Sequence, residues 1–276
     1  MKLALFGINN GIYSDPDVTR RVAIAAEQAG LDSLWTGEHV VLPDPQKAPS
    51  PAPPQFPMLH PPALLCFLAA VTNRIGLGTG ITLIAQRNPL VLAKECATLD
   101  VLSRGRLILG IGAGYLEPEF RALGIPFRER GARTDEAVAA MRALWTQKKP
   151  SFEGKFFRFS GIDAQPRPVQ PGGPPIVVGG GSDSAIRRAV ALAQGWYGFA
   201  MDVDTTKAHI ARVRNAEREA RDGKPPLEIS ITPPGRITAD RIRPYVDAGV
   251  DRLIVLLPQS GERDALATIE LLSRAV

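Results

Sequence analysis

Between Arg74 and Gly114 the chain reads RIGLGTGITLIAQRNPLVLAKECATLDVLSRGRLILGIGAG, and this stretch limits the available folds more than any other. Ile75–Thr79 reads as a buried strand that runs into a Gly-rich turn. A helix follows, then a second strand, Arg106–Ile111, and a second Gly-rich turn. Asn88 is a good N-cap, and Pro89 suits the first helical position. Leu92, Cys96, Leu99 and Leu102 recur at helical spacing and are expected on the inner face. The near-continuous apolar run of the second strand suits a parallel strand buried on both sides. Both strands end in residues with little or no side chain, where a flat ligand or a phosphate can approach the backbone. The unit therefore predicts the floor of a cofactor site.

The same strand–helix rhythm runs along the chain. Lys2–Ile8 is the first strand. A helix from Asp17, turning Val22, Ala25, Ala26 and Ala29 inward, stops at Gly30. The second strand, Asp32–Thr36, delivers Gly37, Glu38 and His39 to its carboxyl end. From Pro43 to Pro62 nine of twenty residues are proline, which excludes helix and central strand and leaves a long loop, a candidate cover for the site. Pro62–Val71 is a short apolar helix. After the fourth strand, Pro118–Leu123 and Ala132–Trp145 read as helices. Residues 150–173 break the rhythm with a hairpin-like SFEGKFFRFSG and a Pro/Gly-rich return, an insertion too short for a domain. Strands at Pro175–Val178, Trp196–Ala200, Leu227–Ile231 and Arg252–Leu257 then alternate with helices. Eight strand–helix units within 276 residues predict an α/β fold, a (β/α)8 TIM barrel spanning 1–276 as one domain. An open doubly wound sheet is the alternative.

Composition narrows the function classes. With 45% apolar and 22% charged residues the chain reads as soluble and globular. No apolar run reaches the roughly 18–20 residues of a membrane span. The start, MKLALFGINNG, lacks the apolar core and cleavage site of a signal peptide and reads as a strand. Cys66 and Cys96 both lie in apolar helical sequence, which points to buried thiols and a cytoplasmic setting. The net charge of +5 forms no dense basic stripe, so no nucleic acid is expected as partner. Three scattered histidines and no cysteine cluster predict no metal site. A nucleophile elbow and a P-loop are both missing.

WTGEHVVLP after the second strand, RIGLGTG, RNPLVLAKECATLDVLSRGRLILGIGAGY, RxxRTDE, PxPVQ and IVVGGGS occur in order along nearly the whole chain. Together they resemble the luciferase-like monooxygenase superfamily, and most closely its branch of oxidoreductases using coenzyme F420, a deazaflavin. The resemblance implies a (β/α)8 barrel with an insertion, often dimeric, so a homodimer is expected. It also implies a ring bound in the barrel mouth against Thr79, Gly80, Ile81, Gly110, Gly112, Ala113 and Gly114. The family often has a non-prolyl cis peptide at the position of Gly80–Ile81. FMN-using relatives commonly carry an Asn where this chain has Gly110 and a Tyr where it has Thr134. Those departures favour the deazaflavin, with FMN as the alternative cofactor.

His39 is the candidate acid/base, because an unperturbed imidazole exchanges protons in either direction near neutral pH. Glu38 either orients His39 or faces away, since adjacent strand residues point to opposite sides. Tyr115 stands where several deazaflavin dehydrogenases carry a Glu, and is read as either stacking on ring or substrate or simply packing. Glu117 and Glu119 are read as helix-start carboxylates favoured by the dipole, although the resemblance also lines Glu119 up with a cofactor-proximal position in some relatives. Gly179, Gly180, Gly181 and Ser182 precede a helix and make the candidate phosphate cradle. Arg133 either adds charge there or pairs with Asp135 or Glu136. His60 is read as a loop residue and His209 as a surface one. The bare main chain around Gly80, Gly112 and Gly180 is expected to receive a planar ring. The function expected is hydride transfer between coenzyme F420 and a small organic substrate. Its rivals are an FMN-dependent monooxygenase with a partner reductase, a non-redox barrel lyase or isomerase, and a non-catalytic homologue.

Overall fold

The computed structural model describes residues 1–275. Eight parallel strands form its centre: β1 (Lys2–Phe6), β2 (Ser33–Thr36), β3 (Gly76–Thr79), β4 (Leu107–Gly112), β5 (Ile176–Gly179), β6 (Gly195–Phe199), β7 (Glu228–Thr232) and β8 (Arg252–Leu256). Pairing runs β3–β2–β1–β8–β7–β6–β5–β4, and β3 returns to β4 through Leu77 opposite Leu107 and Gly78 opposite Ile108. That last contact closes the barrel and excludes the open sheet.

Alternation along each strand divides the apolar residues in two. One set, including Leu3, Leu5, Leu34, Leu77, Leu109, Val178 and Val255, packs outward under the helices. The other, Ala4, Phe6, Trp35, Val177, Tyr197 and Ile254, fills the barrel. Trp35 is fully buried, and its indole takes the space that side chains on β3 and β4 would need. A Cβ on Gly78 would lie 2.6 Å from that ring. At the amino end, Arg252 plugs the barrel, bonded to Asp32 at 2.7 Å and paired with Glu228.

The helices start as local chemistry dictates. Asp15 accepts hydrogen bonds from the N–H groups of Asp17 and Val18, so the first helix, Pro16–Gln28, begins at proline, one residue before the expected Asp17. Asn88 accepts from the Leu90 N–H at 2.9 Å and caps Pro89–Leu102. Leu92, Cys96 and Leu99 are buried as expected, but Leu102 is exposed. Ten residues of helix rotate it about 80° away from Leu92, off the inner face.

The proline-rich loop is tied back to the segment after β1: the Leu59 N–H donates to Asn9 at 2.9 Å, and the Gly11 N–H to Pro57 at 2.9 Å. In the 150–173 segment, Phe152–Glu153 and Arg158–Phe159 pair as an antiparallel hairpin. Its tip hangs from the Glu136 carboxylate, which accepts from the N–H groups of Lys155, Phe156 and Phe157 at 3.0, 2.7 and 2.6 Å.

Candidate active site

Residues at the carboxyl ends of β2, β3 and β4 form the first part of the site. The Gly80–Ile81 peptide is cis. Thr79 Oγ1 donates to the Gly110 carbonyl at 2.7 Å, and the Gly80 N–H donates to Thr36 at 2.7 Å. Pairing with β4 resumes at Thr82 and Leu83, opposite Ile111 and Gly112.

The glycines here serve a different purpose from the one expected. A Cβ on Gly110 would sit 1.8 Å from the Thr79 carbonyl oxygen, and one on Gly112 2.3 Å from Ile81 Cδ1. A Cβ on Gly179 would lie 2.8 Å from Ile81 Cγ2, and one on Gly80 3.1 Å from Phe6. At Gly110, Gly112 and Gly179 the missing side chains therefore admit this chain's own Thr79 and Ile81, and at Gly80 its Phe6, whereas Gly180 is exposed. What faces the mouth is mostly side chain. Phe199 and Tyr115 are both half exposed, with Phe6 packed 5.1 Å from Phe199.

His39 stands at the centre of a polar chain. Its Nδ1 lies 3.1 Å from Glu119 Oε2, and its Nε2 lies 3.3 Å from the Tyr115 hydroxyl. Glu119 sits in the short helix Glu117–Ala122, buried, and accepts the Val40 N–H at 2.5 Å and the Val41 N–H at 3.4 Å. Burial pushes its carboxyl up, but the His39 imidazole, the Gln86 amide and the Val40 N–H outweigh that and hold it below the usual carboxylate range. Glu119 was expected to serve the helix start. Instead it reaches across to the β2 loop, because its side chain points into the barrel mouth rather than along its own helix. Burial and the Glu119 charge push the Tyr115 phenol up.

Glu38 turns away from His39. Its carboxylate accepts the Leu83 N–H at 2.6 Å and pairs with Arg87, whose guanidinium also lies 3.1 Å from His60 Nε2. Glu38 thus anchors the segment that follows the cis peptide.

At the end of β5, Ser182 Oγ accepts the Ala185 N–H at 3.2 Å and caps the helix Asp183–Leu192. Trp196 Nε1 donates to the Gly180 carbonyl at 2.9 Å. The His209 ring stacks on Trp196 with centroids 5.9 Å apart, and a Cβ on Gly181 would come within 2.8 Å of His209 Nε2. His209 is therefore packed on the Gly-rich turn, not a free surface residue as its polar helix suggested. Arg133 bonds Glu129 at 3.0 Å and lies 4.7 Å from the Phe156 ring centroid, while Asp135 pairs with Arg188. The expected pairing with Asp135 or Glu136 gives way to this one, since one helical turn back brings Glu129 onto its face.

The mouth also holds polar atoms in want of partners. Asn10 Oδ1 and Thr36 Oγ1 are buried without a hydrogen bond to any described residue, while the buried Gln86 amide sits against the Glu119 carboxylate. Buried polar groups ordinarily have a partner, so this donor and acceptor set fits a polar ligand in the mouth. Among the described residues no cluster of His, Cys, Asp and Glu could hold a metal ion, and no helix is long and apolar enough to cross a membrane.

Residues 4–260 match the family model described as luciferase-like monooxygenase. The chain belongs to that family. A relative in Mycobacterium tuberculosis, itself uncharacterized, is 31% identical over 279 residues, covering 98% of this chain and 96% of its own. The F420-dependent glucose-6-phosphate dehydrogenase of Amycolatopsis mediterranei is 30% identical over 223 residues, 76% of this chain and 63% of that protein. Among solved structures, monooxygenase RslO1 from Streptomyces bottropensis superposes with a TM-score of 0.83 at 22% identity, over 100% of this chain and 98% of that one. An F420-dependent secondary alcohol dehydrogenase bound to an F420–acetone adduct superposes with a TM-score of 0.82 at 18% identity, with the same coverage. At these identities the two structures support the luciferase-like barrel fold alone.

Proposed function

We propose that this luciferase-like protein is an oxidoreductase that binds coenzyme F420 in the barrel mouth and transfers a hydride between it and a small organic substrate. The observation that carries this reading is His39, an imidazole held between carboxylate and phenol at the carboxyl end of β2. Relatives named F420-dependent dehydrogenases support the choice of cofactor. When bound, the deazaflavin supplies a hydride donor or acceptor; the chain supplies position, a proton path and exclusion of water. Thr79, Gly80, Ile81, Ala113 and Gly114 would hold the ring, with Gly110 and Gly112 acting indirectly by seating the Gly80–Ile81 bulge. Gly179, Gly180, Gly181 and Ser182 would hold the phosphate on backbone N–H groups at the helix start. We place the protein in the cytoplasm.

An FMN-dependent monooxygenase is the second reading. The Ser182 and Ser184 hydroxyls, 3.0 Å apart at the helix start, suit any phosphate-bearing ring cofactor. Titrating the purified protein with each cofactor and following ring fluorescence separates the two. Tight binding of coenzyme F420 is expected; tight binding of FMN with none of F420 overturns the proposal.

We also propose a homodimer. The helix Pro61–Val71 carries no polar or charged side chain, yet Phe67 on it, and Val91 and Leu102 on the adjoining Pro89–Leu102, are exposed. A helix apolar all round is normally covered, and a second copy presents the same face across a two-fold axis. The adjacent Glu95 has one buried carboxylate oxygen without a partner among the described residues. Light scattering is expected to give a dimer for the wild type and a monomer for Phe67→Glu. A monomeric wild type refutes this assembly.

A further inference from the structure

We propose that Tyr115, rather than His39, exchanges the proton with the substrate, and that His39 relays it while Glu119 fixes the imidazole's tautomer. The inference rests on the hydride-transfer reading above and names the substrate class that such a relay serves, an alcohol or its carbonyl partner. Its three members come from three places: the loop after β2, the turn after β4, and the helix Glu117–Ala122.

Occupancy of the imidazole is the deciding fact. His39 has two ring nitrogens, and both are engaged, Nδ1 with Glu119 at 3.1 Å and Nε2 with the Tyr115 hydroxyl at 3.3 Å. No nitrogen is left to meet a substrate. Exposure falls along the chain in the same sense. The Tyr115 residue is 50% exposed, while the His39 side chain is 9% exposed and that of Glu119 0%. Of the three residues, Tyr115 is the one that is substantially exposed.

The proton positions follow from what each group can donate. Ionised Glu119 only accepts, so Nδ1 carries the hydrogen in the pair. In that tautomer Nε2 offers its lone pair to the Tyr115 O–H. The phenol oxygen keeps lone pairs for a substrate hydroxyl in the mouth. Glu119 is further held by the Val40 and Val41 N–H groups, so its orientation does not depend on His39 alone. The His39 backbone N–H is itself held by Met58 Sδ, which accepts it at 3.2 Å. This leaves Glu119 as a positioning residue and Tyr115 as the catalytic one.

In the oxidation direction the substrate C–H bond breaks, and its hydrogen and electron pair pass to the deazaflavin, which is reduced. The substrate O–H bond breaks as well. Its proton moves to Tyr115 Oη while the phenol's own proton moves to His39 Nε2, and a carbonyl forms. The imidazolium that results is balanced by the Glu119 carboxylate. Carbonyl reduction runs every transfer in reverse.

The test combines the free protein with the loaded one. Nitrogen-15 NMR of the free chain reads the His39 tautomer, its signals assigned by their loss in His39→Gln. The Nδ1–H tautomer is expected in the wild type and in Tyr115→Phe, and a mixture of tautomers in Glu119→Gln. Deazaflavin affinity, read by fluorescence, is expected to be unchanged in Tyr115→Phe. Single-turnover hydride transfer to a panel of small secondary alcohols and ketones is expected to slow about 10²–10⁴-fold in that variant. An Nε2–H tautomer in the wild type, or a Tyr115→Phe rate within about threefold of wild type, overturns the relay. If the wild type binds no coenzyme F420, the cofactor proposal fails, and the tautomer measurement still decides the relay.

Discussion

Alanine at position 110 will put a methyl carbon 1.8 Å from the Thr79 carbonyl oxygen, and neither atom has room to retreat. The oxygen belongs to backbone that β3 pairs with β2, and its residue is tied to the Gly110 carbonyl by a 2.7 Å bond. The next nearest atom of β2 is the Trp35 ring, 3.4 Å from the same methyl position. Overpacking against backbone costs more than against a flexible side chain, so Gly110→Ala is expected to destabilise by about 3 kcal/mol, the upper end of the overpacking range. Thermal denaturation will show a midpoint lower by roughly 10 °C. Deazaflavin affinity will fall with it, because the bulge at Gly80–Ile81 loses its seat. Gly131→Ala is the contrast. Its methyl would meet only the Arg188 Nη2 at 3.4 Å, inside a helix that favours alanine over glycine. A Gly110→Ala protein as stable as the wild type would disprove this account of the β3–β4 contact.

Removing the imidazole will have the largest effect on turnover. His39→Gln keeps a donor for Glu119 but cannot carry a proton, so hydride transfer is expected to fall about 10²–10⁴-fold with the thermal midpoint little changed. His39→Ala adds a structural loss, since it leaves the buried Glu119 carboxylate with the Gln86 amide and the Val40 and Val41 N–H groups but no imidazole. That loss has a defined pH dependence. The carboxyl is held below its usual range, so it stabilises the fold fully above about pH 4.3 and ceases to as pH falls through its folded value. Part of the depression comes from His39, so His39→Ala narrows the stable range from the acid side. Acid titration of the fluorescence of buried Trp35 and Trp196 reads it. If Gln and Ala at position 39 leave turnover intact, neither the relay nor His39 takes part in the chemistry.

Much of the fold is local and could be read along the chain. Asn88–Pro89 starts a helix because its cap and its fixed φ act within one turn. The run from Arg106 to Ile111 is buried on both faces because its apolar residues do not alternate. Eight such units leave few ways to cover every sheet face, and the barrel follows. His39 was legible as a polar residue delivered to a strand's carboxyl end, and the Gly80–Ile81 pair through resemblance.

Which residues meet at the mouth was decided elsewhere. Glu119 lies 80 residues from His39, and nothing in its own helix distinguishes a carboxylate that aids the helix start from one that crosses to β2. Likewise, the sequence shows that Gly110, Gly112 and Gly179 lack side chains but not that Ile81 and Thr79 fill their space. His209 reads as surface in a polar helix, and becomes a neighbour of Gly181 only once β6 places Trp196 beneath its ring. Helices and strands were determined by interactions over three or four residues, which periodicity records. Pairing across the closed barrel joins positions tens of residues apart, and only the tertiary structure, by setting strand register and side-chain direction together, decided it.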